Sequence, residues 1–86
     1  MAIPWVINGL AAVTAAKGQL ARAATLLGIA ESLLERAGGD WPPDEREQRD
    51  GTIATLSAGL SPVALENARS EGGGMSLEEG VAYALA

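Results

Sequence analysis

Four places in the chain gather residue types that could do chemistry. They are Ser61 within Gly59-Leu60-Ser61-Pro62-Val63, the run Gly72-Gly73-Gly74-Met75-Ser76, the charged segment Asp44–Asp50, and the pair Glu78-Glu79. A serine nucleophile needs a neighbouring base to take its proton, most often a histidine. The chain has no histidine, and the segment around Ser61 lacks the second glycine of a nucleophile elbow. Ser61 is therefore expected to cap a helix that starts at Pro62. The glycine run lacks the third glycine of a dinucleotide fingerprint and the lysine of a phosphate loop, and no strand precedes it. It is expected to be a flexible break between helices. Asp44, Glu45, Glu47 and Asp50 do not follow the alternation of a calcium loop, and Arg46 and Arg49 are interleaved with them. Such a pattern predicts a solvated helix face. Glu78 and Glu79 follow Ser76 at the spacing of a capping box, in which serine and glutamate side chains satisfy each other's backbone N–H groups.

The absence of cysteine removes disulfides, thiolate metal sites and thiol catalysis together, and fits a cytoplasmic protein. No catalytic, cofactor-binding or metal-ligating residue is assigned. The chain is expected to be a non-enzyme with no cofactor. The only aromatics are Trp5, Trp41 and Tyr83. Large aromatics anchor partners at many interfaces, but a core short of large groups also needs them. Trp41 is expected to cover the end of a helical hairpin and Trp5 to seal the first helix.

The elements that position these residues follow from periodicity. Ile3, Ile7, Leu10 and Val13 recur at helical spacing, with Pro4 suited to a first turn, so a helix is predicted over Pro4–Lys17. Gly18 ends it. Leu20, Ala23, Leu27, Ala30, Leu34 and Ala37 then form one apolar stripe, and Leu26, Ile29 and Leu33 form a second beside it. A helix apolar over so wide an arc is built to lie between two others. Its neighbours are expected to be the first helix and the Ile53–Leu60 face of the third. Gly38 and Gly39 stop it, and Asp40–Pro43 is a loop.

Pro42 and Pro43 start the third helix, with Asp44 and Glu45 complementing its N-terminal dipole. Its first half is polar and faces water, while Ile53, Leu56 and Leu60 pack; Gly51 marks a place for a kink or fraying. A fourth helix is predicted from Pro62 through Leu65 and Ala68 to about Ser70. The fifth presents Leu77, Val81, Ala84 and Leu85 on one face. The result is an all-α chain of about five helices, a single domain over residues 1–86. Within it, 1–39 is an antiparallel hairpin, 40–71 a second helical pair, and 72–86 the glycine break with its capped last helix.

Hydrophobic residues make up 48% of the chain, but seventeen of them are alanine and none is phenylalanine. Such a core gains from close backbone approach more than from large buried groups, each worth about 1.5–3 kcal/mol. It predicts no enclosed apolar cavity, and a need for a neighbour. The charge is uneven: residues 1–39 carry a net +1 and residues 40–86 a net −6, for −5 in all. An acidic chain cannot neutralise phosphates, which argues against direct nucleic-acid binding. The apolar stretch Ala2–Ala16 is shorter than the ~20 residues of a membrane span, holds Asn8, and follows no basic segment, so it is read as a helix buried against protein.

Gly18, Ala23, Leu27 and Ala30, with Leu10 and Ala11 in the preceding helix, resemble the spacing of a tetratricopeptide repeat. The segment from Gly9 to Glu47, followed later by Met75-Ser76-Leu77-Glu78-Glu79, is similar to the extreme C-terminus of multidomain bacterial regulators. These include MalT/LuxR-type transcription activators and ATPase- or cyclase-linked signalling proteins. The chain departs from that pattern at Gly80, at Gly73-Gly74 and at Ala68, where a large aromatic is common, so the fourth helix is expected to pack loosely. Met1 leading directly into a mid-repeat helix implies a fragment.

The resemblance implies a scaffolding or protein-interaction module of a larger signalling or transcriptional regulator. Leu10, Gly18, Ala23, Leu27 and Ala30 are its packing residues, and Trp5, Val6 and Val13 are candidate partner contacts. The partner would be a neighbouring repeat, a parent domain or a second copy, giving a homodimer. The competing reading is a small-molecule-sensing helical domain that controls a parent enzyme or activator.

Overall fold

A computed structural model describes residues 3–86. Met1 and Ala2 lie outside the described residues, and with them the expectation about where the chain begins. Five helices follow one another: α1 Ile3–Ala16, α2 Leu20–Arg36, α3 Pro43–Gly59, α4 Pro62–Gly73 and α5 Leu77–Leu85. No strand occurs among the described residues, so the chain is all-α. None of these helices is long and apolar enough to cross a membrane.

Two glycines end helices as their freedom at positive φ allows. Gly18 has φ +81° and Gly38 φ +71°. The following N–H groups of Gln19 and Gly39 reach back to the carbonyls of Thr14 and Leu34, each at 3.2 Å. The first turn folds α1 and α2 into a hairpin. Ala23, Leu27 and Ala30 are completely buried on α2, Leu10 is half-buried on α1, and Ala37 is exposed just beyond the end of α2.

α2 lies at the centre, but its second neighbour is not the Ile53–Leu60 face. It packs most extensively against α4 and α1, while α3 rests chiefly on α1. Two glycines explain the change. A β-carbon on Gly28 would stand 2.1 Å from the Arg69 carbonyl oxygen, and one on Gly72 would stand 2.1 Å from the Thr25 carbonyl oxygen. Hydrogens alone let the two backbones come this close. The contact is then tied at its edge by Arg69, whose Nε and Nη2 donate to the Glu31 carboxylate at 3.1 and 2.6 Å. Ser32 Oγ donates to the Gly73 carbonyl at 3.1 Å.

Gly72 and Gly73 are thus the last turn of α4, not a flexible break, because the surface of α2 holds them in helical form. With Ala68 half-buried against the core, α4 is a close neighbour of α2; the expected loose packing does not occur. α3 likewise runs unbroken through Gly51. Its polar half is not wholly in water either. Asn8 of α1 is fully buried, and its amide nitrogen donates to the Glu45 carbonyl and carboxylate and to Gln48 Oε1 at 3.2–3.3 Å. A buried amide donor needs acceptors, and these fix where α3 sits on α1. Leu56 is fully buried from the second half of α3, with Ile53 and Leu60 half-buried beside it.

The caps expected from sequence form. Ser61 Oγ accepts from the Ala64 N–H at 3.1 Å. At α5, Ser76 Oγ accepts from the Glu79 N–H at 3.1 Å while Glu79 Oε1 accepts from the Ser76 N–H at 2.9 Å. α5 is laid against α2 at two points. Gly80 is seated over Ile29. Arg22 donates to the Tyr83 and Ala86 carbonyls at 3.1 Å and covers the Tyr83 ring at 4.9 Å. Its charge thus sits at the negative end of the helix dipole.

Candidate functional site

α1 is apolar on both sides, and what little polarity it has faces inward. Its only residues with polar side chains, Asn8 and Thr14, are both buried. On the opposite side Val6 and Val13 are 67% and 51% exposed, and Ile3 is at the surface with them. A helix at the surface of a self-sufficient domain has the reverse arrangement.

The stripe predicted to pack, Ile3–Ile7–Leu10–Val13, therefore splits. Ile7 turns inward with Pro4, Ala11 and Ala15, while Ile3 and Val13 face out. Periodicity alone could not choose between faces, because the helix is apolar all round. The signal that could have chosen was residue size. Ala11 and Ala15, one turn apart, permit the close approach that Ala23 and Ala30 permit on α2, and Val6 and Val13 do not.

Beside this face lies α5, and the two helices enclose an open groove of about 260 Å³. α1 contributes Ile3, Val6, Ile7 and Leu10, at i, i+3, i+4 and i+7. α5 contributes Val81, Ala84 and Leu85, and Leu85 is 82% exposed. No lining side chain can form a hydrogen bond or carry a charge. Two ridges with helical spacing and a furrow between them offer a surface against which the apolar face of a third helix can pack.

Of the three candidate contacts, Val6 lines this groove and Val13 continues the same exposed face. Trp5 turns away to Trp41, ring centres 5.7 Å apart and planes inclined by 59°. Arg49 covers the other partner of that pair, 5.0 Å from the Trp41 ring centre. The tryptophans close one end of the α1–α3 packing, as expected for a core short of large groups.

A larger open cleft of about 510 Å³ lies where α3 passes into α4, with Leu60, Pro62 and Leu65 on its wall and the Glu31–Arg69 pair at its side. That ion pair is bidentate and satisfied within the chain, so it presents no unpaired charge to a ligand. Among the described residues no group of three or more histidine, cysteine, aspartate or glutamate side chains is placed to hold a metal ion. The Glu79 carboxyl has a displaced pKa. The Ser76 backbone N–H, and after it the Ser76 hydroxyl, hold it below the usual carboxylate range; this follows from capping.

The sequence missed Gly28, which sits in the middle of a helix where glycine costs about 1 kcal/mol relative to alanine. A glycine kept in such a place signals a packing need. Compared with models of protein families, with curated proteins and with solved structures, the chain matched none.

Proposed function

We propose that this chain is a non-catalytic protein–protein interaction or scaffolding module, and that the α1–α5 face is its working surface. The apolar outer face of α1 carries the reading. Burying Asn8 and Thr14 while leaving Val6, Val13 and Leu85 in water forgoes about 1.5–3 kcal/mol per large aliphatic side chain. That arrangement is stable in use when a partner covers the face. The partner chemistry that fits is a helix with an uncharged apolar ridge, supplied by a neighbouring repeat, a parent domain or another chain. The resemblance to the C-terminal tetratricopeptide-like regions of bacterial regulators supports a cytoplasmic signalling or transcriptional setting.

A synthetic helical peptide with leucine or valine at every third and fourth position and no charge on that ridge tests the reading. Titrated into methyl-labelled protein and followed by NMR, it should shift the methyl signals of Ile3, Val6, Leu10, Val81 and Leu85. Absence of shifts at millimolar peptide would remove the proposal. The α3–α4 cleft supports the second reading, a small-molecule-sensing domain, by its volume and its mixed apolar and charged lining. Shifts centred on Leu60 and Leu65 with small apolar ligands, accompanied by a rise in melting temperature, would favour that reading instead.

A further inference from the structure

We infer that the α1–α5 face takes a helix of about four turns, lying antiparallel to both of its walls. That helix carries acidic residues in its first turn and basic residues in its last. The inference rests on reading the face as a protein-binding surface, and it names the partner's chemistry and direction. The two walls run the same way. α1 and α2 form an antiparallel hairpin about Gly18. α5 is antiparallel to α2 as well. Arg22, in the first turn of α2, holds the carbonyls of Tyr83 and Ala86, while Ile29, farther along α2, lies against Gly80. α1 and α5 are therefore parallel, and both N-termini stand at one end of the groove.

The groove is neutral along its length but charged at its two ends. Glu78 lies three residues before Val81 and seven before Leu85, so it begins their row on α5. Lys17 lies four residues after Val13 and seven after Leu10. Its N–H still donates to the Val13 carbonyl at 3.1 Å, so Lys17 ends the corresponding row of α1. Both residues are exposed. The neighbouring Glu79 carboxylate is engaged by the Ser76 N–H. Among the described residues Glu78 and Lys17 are in no ion pair. From Ile3 to Lys17 the face extends ~21 Å, the length of a helix of about fourteen residues.

These end charges select a direction as well as a chemistry. A partner helix needs a base beside Glu78 and an acid beside Lys17. Its own dipole favours acids in its first turn and bases in its last. Both demands are met together when its C-terminus lies at Glu78. That orientation also sets its dipole against those of α1 and α5, with its negative end at their positive ends. The opposite orientation would put bases in the first turn and acids in the last, and would align three dipoles.

Two hydrocarbon-stapled peptides with the same leucine ridge test the inference. One has glutamates in its first turn and lysines in its last; the other has them exchanged. The staple holds both helical, which circular dichroism verifies. At low ionic strength the first should bind the full chain roughly tenfold more tightly, the scale of exchanging attraction for repulsion at two exposed sites. Salt at about 0.5 M should shrink the difference. A nitroxide at the C-terminus of the first peptide should broaden the methyl signals of Ile3 and Val81, and one at its N-terminus those of Leu10 and Val13. Lys17→Glu combined with Glu78→Lys should abolish or reverse the preference. Lys17→Glu alone, remote from the start of α5, should narrow it and guards against a folding defect at position 78. Equal affinity for the two peptides overturns the inference, as does a reversed broadening pattern or a preference indifferent to these variants. If both peptides shift the groove methyls equally, the binding surface stands and the assigned partner falls. If neither shifts them, both fall. Groove methyl signals that move with the concentration of the chain alone would give the face to a second copy and overturn the inference.

Discussion

At the α2–α4 crossing, Gly28 and Gly72 bring two backbones together with no side chain between them; on the α1–α5 face, Val6 and Leu85 stand in water. The first region is closed by what its residues lack, the second left open by what its residues carry. Small residues set how closely the helices approach, leucines and isoleucines such as Leu26, Leu27, Ile29 and Leu56 fill the core between them, and several other large aliphatic groups are outside. The comparison teaches how an alanine- and glycine-rich sequence holds a fold. Close helix approach multiplies weak dispersion contacts, so a core of leucine and isoleucine without large aromatics is secured, and further aliphatic groups are left at a surface.

The sharpest way to break this comparison is to add one methyl group in each environment. Gly28→Ala places a β-carbon against the Arg69 backbone, which no side-chain rotation relieves. The expected cost is ~3 kcal/mol or more, in the upper range of overpacking. For a domain of this size that corresponds to a fall in Tm of roughly 12 °C or more. Gly51→Ala adds the same methyl where nothing lies within 4 Å, and should raise stability by ~0.5–1 kcal/mol. Thermal denaturation by circular dichroism reads both. Equal melting of the two variants would show that the crossing is not as tight as described.

A smaller effect separates the two regions from each other. Arg22 ties the C-terminal end of α5 to α2 through the Tyr83 and Ala86 carbonyls, and it touches nothing in the α2–α4 crossing. Arg22→Met keeps an apolar stem over the Tyr83 ring and removes the donors, at an expected cost of ~1 kcal/mol. Amide hydrogen exchange should quicken in α5 and stay unchanged in the middle of α2 and in α4. Equal acceleration everywhere would make the groove wall and the crossing one cooperative unit.

Much of this architecture was legible in the sequence. Gly18 and Gly38 mark their turns, Ser61-Pro62 and Ser76–Glu79 mark helix starts, and the two apolar stripes of α2 announce an inner helix. These signals are local, so a single stretch of chain contains them. Which helix covers α2 is a different kind of fact. It depends on Gly28 meeting the Arg69 backbone and Gly72 meeting the Thr25 backbone, forty-one and forty-seven positions apart, and neither glycine says alone which backbone it faces. The proposed working surface was half legible: Val6 and Val13 were visible as candidates, but a helix apolar on every side gives no direction for its outward face. Asn8 supplies that direction only once Glu45 and Gln48 are beside it.

The smallest expected effect is an acid sensitivity of the open region. Glu79 accepts from the Ser76 N–H and Ser76 Oγ accepts from the Glu79 N–H, and these bonds hold the Glu79 carboxyl below the usual carboxylate range. A pKa lowered by folding means that the ionised form favours the folded state. The contribution is complete above the pKa of a free glutamate and is lost as pH falls through the lowered folded value. Over that acid interval the first turn of α5 should fray at Leu77 and Glu78, loosening one wall of the groove. Glu79→Gln separates this from general acid effects, because glutamine preserves an acceptor at the third position of the capping box and does not titrate. The amide signals of residues 77–80 should move with pH in the parent chain and stay nearly constant in the variant. Identical titrations in both proteins would place the acid response elsewhere and leave the α5 wall as fixed as the glycine crossing beneath it.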